Sequence, residues 1–392
     1  MAAWKMVKLS EVCEIQRGGS PRPIENFITD ADNGINWIKI GDVTKGAKYI
    51  TSTKEKIKPE GAQSSRTVQE GEFLLSNSMS FGRPYILRTS GCIHDGWLVL
   101  RYDKKLLTED YLYHVLGSDF VYAQFVKFAV GAVVKNLNSE VVKQVSIPLP
   151  SLEEQRRIAA ILDQVDALRA KRREALAQLD SLTQSIFIEM FGDPISNPKR
   201  WKTCRLDEVS KKITDGTHKT PIYKGSGVEF LSAKDLKNGR IKWGTEKFIS
   251  EQEHLQLFQR CNPELGDVLL AKSGSLGAVA IIDREHQFSL FESLCLIKYD
   301  RAQIDGRFLI GLLRNSSMLS HLLEKNKGIA IKHLHLVDVR SLELPLPPLL
   351  LQEQFACRIG AVEKLESSGL EAIEQIGILF TSLQHRAFRG EL

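Results

Sequence analysis

The stretch from Ser151 to Phe191 constrains the fold most, because it contains no glycine or proline and is followed directly by Gly192. Apolar residues recur in it at alternating steps of three and four, which is the heptad pattern of a coiled coil. Ser151 and Glu154 have the spacing of a capping box. A helix of about 40 residues is roughly 60 Å long, too long to be stable without a partner. The pattern therefore predicts one long helix that packs against a second helix.

The predicted partner lies in the same chain, because the sequence repeats after 197 positions, with Trp201 matching Trp4. The stretch 349–388 then aligns with the first helix without a gap, and Gly369 matches Arg172. We expect this glycine to make room for the arginine, and an antiparallel pairing to bring Phe388 close to Trp4. The predicted seam residues are Ile158, Ile161, Val165, Leu168, Leu179, Leu182 and Ile186 in the first helix, and Phe355, Val362, Leu365, Ile376, Leu379 and Leu383 in the second.

The repeat extends beyond the helices and is far longer than a solenoid unit, so it indicates a duplicated pair of domains. Short β-rich runs alternate with Gly, Pro, Ser and Asn loops, and the stretch Thr108 to Phe128 has a helical pattern. The predicted fold class is α/β (α+β), with two duplicated globular domains separated by two long helices that form an antiparallel, pseudo-two-fold coiled coil. The predicted segments are residues 1–150 for the first domain, 151–192 for the first helix, 193–347 for the second domain and 348–392 for the second helix.

Composition sets wide limits on function. The net charge of +5 permits nucleic-acid binding without demanding it. No apolar run is long enough to span a membrane, and the amino terminus lacks the apolar core of a signal peptide, so we expect a cytoplasmic protein. The six cysteines form no CxxC pair, which favours reduced and mostly buried thiols over a zinc site or disulfides.

The motifs of common enzymes are missing from the sequence. It contains no GxxxxGK[ST], HExxH or GxSxG motif. Asn197-Pro-Lys and Asn262-Pro-Glu lack the second proline and the aromatic residue of an amino-methyltransferase tetrad. His333 and His335 could share a strand face as metal ligands, but no third ligand is apparent. We therefore predict no catalytic residues and no metal site in this chain.

The remaining signal is a set of loops that combine Lys and Arg with Ser, Asn, Thr and His, the residue types that contact phosphates and base edges. Because these loops occur in both halves of the repeat, they predict two related but unequal DNA-binding surfaces. Unequal surfaces would recognise an asymmetric bipartite sequence with half-sites a set distance apart. The predicted DNA-binding residues are Arg17, Ser20, Arg22, Ser76, Asn77, Ser78, Arg83, Lys135 and Asn136 in the first domain, and Thr217, His218, Lys219, Lys272, Ser273, Ser275, Lys332, His333 and His335 in the second.

Several motifs resemble one known family. Pro-Leu-Pro precedes both long helices, and the motifs Asp215-Gly-Thr-His-Lys-Thr-Pro221, Gly131-Ala-Val-Val-Lys135 and Phe388-Arg-Gly-Glu-Leu392 complete the pattern. Over its whole length the chain resembles the specificity subunit of type I restriction–modification enzymes. One departure is that Leu350-Leu351 stand where the first helix has Glu153-Glu154.

The resemblance implies a non-catalytic subunit whose two target-recognition domains each recognise one half of a bipartite site on double-stranded DNA. The helix pair would set the spacer between the half-sites. Two methyltransferase subunits, which bind S-adenosylmethionine, would dock around the helices, and restriction subunits that use ATP and Mg would join them. The chain itself would hold no cofactor.

Two alternatives from other classes remain open at this point. The chain could be a methyltransferase or nuclease that acts alone, with Asp42 and Asp235 as acids after strands, although aspartates in such turns are common. It could also be a coiled-coil scaffold that makes no contact with DNA. Enzyme activity of the purified chain would favour the first alternative, and lack of any DNA affinity would favour the second.

Overall fold

The computed structural model describes residues 4–43, 46–77, 81–128, 137–237, 239–324 and 333–392. It divides into two compact units, one made of Met1–Arg172 with Ala372–Leu392 and the other of Arg173–Glu371. Each long helix contributes one part to each unit.

The first unit contains twelve strands among the residues that the structure describes. They are β1 (Met6–Lys8), β2 (Cys13–Arg17), β3 (Ile28–Thr29), β4 (Ile35–Ile38), β5 (Tyr49–Ile50), β6 (Glu55–Ile57), β7 (Arg66–Val68), β8 (Phe73–Ser76), β9 (Pro84–Leu87), β10 (Gly91–Ile93), β11 (Trp97–Tyr102) and β12 (Ser146–Pro148). Its helices are α1 (Leu9–Val12), α2 (Pro59–Ala62), α3 (Glu109–Leu116), α4 (Asp119–Phe128), α5 (Ser139–Gln144) and the first part of the long helix α6 (Leu152–Phe191). Short 3-10 turns occupy Ile24–Asn26 and Ile40–Asp42.

Two five-stranded sheets form the body of this unit, with strand orders β2-β11-β8-β9-β5 and β3-β6-β4-β10-β7. The first of these sheets buries apolar side chains such as Phe73, Leu98 and Trp97, all 0 % exposed. Strand β1 pairs antiparallel with β12, with Val7 opposite Ile147, so the start of the chain is joined to the segment that leads into α6. The stretch from 108 to 128, expected as one helix, forms α3 and α4 with Gly117 as the C-cap of α3.

The second unit repeats this plan with β13 (Thr203–Arg205), β14 (Ser210–Asp215), β15 (Val228–Leu231), β16 (Leu236–Lys237), β17 (Arg240–Ile241), β18 (Phe248–Ile249), β19 (Val268–Ala271), β20 (Val279–Ile281), β21 (Phe288–Leu290), β22 (Leu294–Tyr299) and β23 (Glu343–Pro345). Its helices are α7 (Glu251–Arg260), α8 (Gly306–Arg314), α9 (Ser316–Glu324), α10 (Leu336–Arg340) and the first part of α11 (Leu349–Arg389). Two 3-10 turns lie at Leu206–Val209 and Ala233–Asp235.

Several strand pairings recur in both units. The order β14-β22-β19-β20 matches β2-β11-β8-β9, and the pair β13-β23 matches β1-β12. Parallel pairing of β15 with β21 matches that of β4 with β10. The predicted fold class, with a duplicated mixed domain and two long helices, is therefore confirmed. No helix among the described residues is both long and apolar enough to cross a membrane.

The two long helices run antiparallel within each unit. In the first unit, the Arg157 side chain donates to the Leu392 carbonyl at 2.9 Å, and the Arg169 guanidinium lies 4.9 Å from the centre of the Phe380 ring. In the second unit, the Phe187 and Phe355 rings meet edge to face at 5.6 Å. The contacts pair early residues of one helix with late residues of the other, as the sequence predicts.

The seam differs from the predicted one at every second position. Ile158, Val165, Leu179, Ile186, Phe355, Val362, Ile376 and Leu383 are buried or half-buried, whereas Leu168, Leu182, Leu365 and Leu379 are 44–60 % exposed. Ile161 is half-buried, but the next residue, Leu162, is fully buried. The positions that replace this second set lie one residue later. They are Gln155, Leu162, Arg169, Leu176, Thr183 and Met190 in α6, and Gln352, Ile359, Glu366, Ile373, Phe380 and Ala387 in α11.

The physical reason is that a step of three or four from Ile158 reaches an apolar residue either way, Ile161 or Leu162. One residue changes the direction of a side chain by about 100°. Leu162 packs into the core of the first unit and is 0 % exposed. Polar residues at the later positions, such as Arg169 and Thr183, concealed this register in the sequence.

Gly369 also has a different neighbour from the expected one. A Cβ at this position would lie 2.8 Å from Cδ2 of Leu176 in the same unit. The absence of a side chain therefore makes room for Leu176, a residue of the corrected seam, rather than for Arg172.

The carboxyl-terminal end of each long helix accepts a hydrogen bond from a tryptophan indole. Trp4 Nε1 donates to the Ala387 carbonyl at 2.8 Å, and Trp201 Nε1 donates to the Phe191 carbonyl at 3.0 Å. The expected approach of Phe388 to Trp4 is thus confirmed to within one residue. Only half of the expected capping box forms, because Ser151 Oγ accepts from the Glu154 N–H at 3.3 Å while the Glu154 carboxylate pairs with Arg157.

A buried glutamine fixes the start of each long helix to its domain. Gln155 is 0 % exposed; its amide oxygen accepts from the Thr108 N–H, and its nitrogen donates to the Leu106 and Pro150 carbonyls, all within 3.0 Å. Gln352, also 0 % exposed, makes the equivalent bonds to Asp305, Gln303 and Pro347. The amide satisfies three backbone groups that would otherwise be buried without partners.

Of the six cysteines, Cys13, Cys92, Cys261 and Cys295 are buried, Cys204 is half-buried and Cys357 is exposed, and all six are free thiols. Burial raises the pKa of the Cys13 thiol to about 12 and that of Cys204 to about 11. These thiols stay protonated and unreactive at neutral pH.

We expect Gln155→Leu to lower the free energy of unfolding by about 1–3 kcal/mol, because the backbone groups of residues 106, 108 and 150 lose their partner. The urea midpoint followed by circular dichroism measures this loss. Gln164→Leu, at an exposed position of the same helix, is the matched control. Equal midpoints for the two variants would contradict the structural role of Gln155.

The corrected seam predicts that Leu162→Ala costs about 2–5 kcal/mol, the range for a fully buried leucine. Leu168→Ala, six positions later on the same helix and 44 % exposed, should change stability by less than about 1 kcal/mol. The same urea titration compares them, and a larger loss from Leu168→Ala would restore the seam first expected.

Candidate nucleic-acid interface

Three segments that the sequence singled out come together in the first unit. They are the loop after β2 (residues 18–23), the described ends of the loop after β8 (residue 77 and residues 81–83) and the chain from residue 137. A turn before β11 (94–96) joins them. The Gly19 N–H donates to the Ile93 carbonyl at 3.2 Å, the Asn77 N–H to the Gly96 carbonyl at 3.0 Å, and the Leu137 N–H to the Asn77 carbonyl at 3.0 Å. We call this arrangement the loop cluster.

The second unit contains the same loop cluster, built by the same backbone hydrogen bonds. The Thr217 N–H donates to the Leu290 carbonyl at 2.9 Å, the Lys272 N–H to the Ser293 carbonyl at 2.8 Å, and the Leu334 N–H to the Lys272 carbonyl at 2.9 Å. The duplication therefore preserves the backbone of the cluster, while its side chains differ.

A glycine permits the close approach of two loops in each cluster. A Cβ at Gly18 would lie 2.2 Å from the His94 carbonyl oxygen, and one at Gly216 would lie 2.0 Å from that of Leu290. Both distances are far inside van der Waals contact, so any side chain at these positions would push the loops apart.

Asp95 organises the polar side chains of the first cluster. Its carboxylate accepts from Ser20 Oγ at 2.8 Å and Arg22 Nη2 at 3.5 Å. Its backbone carbonyl accepts from Asn77 Nδ2 at 2.7 Å and Arg17 Nε at 3.1 Å. The hydrogen bond from Ser20 lowers the pKa of Asp95 despite partial burial, with a smaller contribution from the Arg17 charge. The sequence pattern does not indicate Asp95, although this residue lies in a short turn directly before β11.

The predicted DNA-binding residues of the first unit differ in accessibility. Arg17, Arg22 and Arg83 are exposed and can reach a ligand, whereas Ser76 and Asn77 are 0 % and 3 % exposed. Ser76 Oγ accepts from the Arg83 N–H at 3.1 Å and so shapes the loop. The expectation of direct contact by Ser76 and Asn77 is therefore replaced by a supporting role. Ser78, Lys135 and Asn136 lie outside the described residues.

Lys272 is the clearest correction in the second unit. It was predicted to contact DNA, but its side chain is 2 % exposed, and its Nζ lies 2.5 Å from a carboxylate oxygen of Asp215, which is 3 % exposed. An ammonium buried in this way is paired and does not reach a phosphate. Burial alone would raise the pKa of Asp215, but the hydrogen bond and charge of Lys272, aided by His218 and Arg260, hold it below the usual range.

The other predicted residues of the second unit lie at or near its surface. His218 and Lys219 are exposed, and Thr217 is half-buried, with its Oγ1 accepting from the Lys219 N–H at 3.1 Å. Ser273 and His333 are half-buried, and Ser275 and His335 are exposed. Lys332 lies outside the described residues.

The rings of His333 and His335 are 5.4 Å apart, and burial together with the nearby Lys272 charge lowers the pKa of His333. The described residues contain no group of three or more His, Cys, Asp or Glu that could hold a metal.

Comparison with known protein families finds one family that matches this sequence twice. The profile of the family described as the type I restriction modification DNA specificity domain matches residues 1–178 and, a second time, residues 198–375. The two matches coincide with the duplication seen in the sequence and in the sheets.

Relatives of similar length share this family. The chain is 23 % identical to the type I restriction enzyme EcoBI specificity subunit of Escherichia coli, over 100 % of this chain and 86 % of that protein. It is 22 % identical to the MjaVIII specificity subunit of Methanocaldococcus jannaschii, over 95 % and 89 % of the two chains.

Two solved structures share the fold. A chain from a structure of a type I restriction–modification system, concerned with complex assembly and conformational transition, covers 100 % of this chain and 99 % of its own length, with a TM-score of 0.58 at 20 % identity. The S subunit from M. genitalium covers 98 % and 96 %, with a TM-score of 0.51 at 14 % identity. The chain therefore belongs to the family of type I restriction–modification DNA specificity subunits.

Proposed function

We propose that this chain is the DNA-specificity subunit of a type I restriction–modification enzyme in which each unit recognises one half of an asymmetric bipartite site. The observation that supports this most strongly is the loop cluster, whose backbone hydrogen bonds recur in both units while its exposed side chains differ. Equal scaffolds with unequal side chains suit the recognition of two different half-sites on one duplex.

The chemistry of the exposed side chains agrees with DNA as the ligand. Arg17, Arg22 and Arg83 in the first cluster and His218 and Lys219 in the second are donors that can bind phosphates or base edges. Phosphate contacts of this kind give an affinity that falls steeply with salt. A coiled-coil scaffold that makes no contact with DNA would not require such clusters.

The long helices would set the spacer between the half-sites and hold the partner subunits. Leu168, Leu182, Leu365 and Leu379 are 44–60 % exposed on these helices. In our proposal this apolar surface receives two methyltransferase subunits, which bind S-adenosylmethionine. Restriction subunits supply the chemistry that needs ATP and Mg. The chain holds no cofactor itself and acts on DNA in the cytoplasm.

Lengthening both long helices tests the spacer. Seven residues inserted after Ala175 and after Ala372, equivalent positions of the repeat, keep the heptad register and add about 10 Å to each helix. We expect the spacer to grow by about 3 base pairs, since B-DNA rises about 3.4 Å per base pair. Sequencing that detects methylated bases, in cells that carry the subunit and its methyltransferase, measures the spacer.

The control is the same seven-residue insertion after Asp32, in an exposed loop outside the helices, which should leave the spacer unchanged. An unchanged spacer in the lengthened protein, with methylation retained, would contradict the role of the helices.

Arg83→Ala should weaken binding by about 1–3 kcal/mol if Arg83 contacts a base, and the effect should depend on the half-site recognised by the first unit only. Duplexes in which one or the other half-site is scrambled separate the two contributions for the complex with its methyltransferase. Lys104→Ala, at an exposed position in a turn away from the cluster, should have little effect. A loss that depends on the other half-site would rule out our assignment of Arg83.

A further inference from the structure

Arg260 belongs to the loop cluster of the second unit, although nothing in the sequence pattern indicates this. It is the last residue of α7, and its Nη2 donates to Oδ1 of Asp215 at the end of β14. The Arg260 side chain is 54 % exposed, whereas that of Asp215 is 3 % exposed. The Arg260 guanidinium is therefore bound to a buried carboxylate on one side, and its exposed side is open to a ligand.

The Asp215 carboxylate does not cancel the charge of Arg260, because Lys272 already pairs with it. Lys272 Nζ lies 2.5 Å from Oδ2, and both side chains are almost fully buried. Glu292, half-buried on the turn before β22, is a second carboxyl of the cluster. Lys272 and Asp215 are buried and neutralise each other, so the accessible charges are those of Arg260, Lys219 and the half-buried Glu292. Their sum is positive, which suits a polyanion or another group rich in acceptors.

The anchor limits what kind of contact Arg260 makes. A guanidinium has five N–H donors, and the bond to Asp215 occupies one of them. The remaining donors lie in a rigid plane, and the hydrogen bond to Asp215 restricts its orientation. A planar pair of donors matches O6 and N7 of guanine in the major groove. A phosphate contact needs no such fixed plane, and the exposed Lys219 can supply it as a point charge.

We propose that Arg260 recognises a guanine in the half-site bound by the second unit and that Asp215 is its positioning residue. Lys272 keeps Asp215 ionised in its buried position, which is the physical reason for a buried lysine in a DNA-binding loop. This inference rests on the proposed function as a DNA-specificity subunit.

Arg260→Gln in the complex with the methyltransferase tests the contact. We expect roughly 10- to 100-fold weaker binding to the cognate duplex and loss of the preference for guanine at one position of one half-site. Binding to duplexes substituted at each position of the mapped site measures both effects. Arg284→Gln is the matched control, because Arg284 is 53 % exposed in the same unit and lies over the Trp243 ring, outside the cluster.

Arg260→Lys separates base recognition from charge. It should lose the guanine preference but keep the salt dependence of binding, because the ammonium retains the charge without the planar fork. Uniform weakening of all sequences by Arg260→Gln, with a salt slope reduced by about one, would indicate a phosphate contact and overturn the proposal.

The positioning role needs a variant that leaves no unpaired buried charge. Asp215→Asn combined with Lys272→Met removes both buried charges and retains most of the volume. In this background, Arg260→Gln should cause less than a threefold further loss, and thermal melting of the double variant checks folding. An undiminished effect of Arg260→Gln in a folded double variant would overturn the role of Asp215.

Failure of the proposed function can be distinguished from failure of the inference on Arg260. A wild-type complex that binds DNA without sequence preference would contradict the specificity subunit itself. A wild-type complex with a bipartite preference that Arg260→Gln leaves intact would refute only the further inference.

Discussion

The attachment of the long helices to the two units is the constraint on which the rest of the structure depends. Each helix begins with a buried glutamine whose amide satisfies three backbone groups of the adjoining domain. Ile158 and Phe355, one turn further along, are 0 % exposed in the domain cores. Apolar burial stabilises the contact, and the hydrogen bonds, which require one geometry, fix its direction. The loops of the cluster can then diverge without altering the attachment.

The loop clusters show how a conserved backbone can carry different chemistry. In both units, backbone hydrogen bonds hold the loops together and a glycine allows them to approach. Side chains are then organised by one aspartate, which comes from the turn before β11 in the first unit and from the end of β14 in the second. Asp95 is partly exposed and binds Ser20 and Arg22, whereas Asp215 is buried and requires the ammonium of Lys272. A buried carboxylate without that partner would be strongly destabilising.

The repeat and the heptad pattern were sufficient to predict the duplicated domains, the two long helices and their antiparallel pairing. Free thiols also followed from the sequence, as did the loops that form the cluster. Some predictions from the sequence differ from the structure. The seam was misplaced at alternate positions because Ile161 and Leu162 are both apolar, and Lys272 was assigned to the surface because a lysine in a polar loop is usually exposed.

The sequence by itself determined the order of elements, since hydrophobic periodicity and repetition are properties of the chain alone. Only the tertiary structure decided which face of each helix is buried, because that depends on the domain core into which Leu162 or Phe355 packs. It also decided which charged side chains are accessible. Lys272 and Arg260 are both basic residues of the second unit that bind Asp215. The Lys272 side chain is buried, whereas that of Arg260 is exposed. No local pattern encodes that difference, because the carboxylate that separates them is 45 and 57 positions away in the sequence.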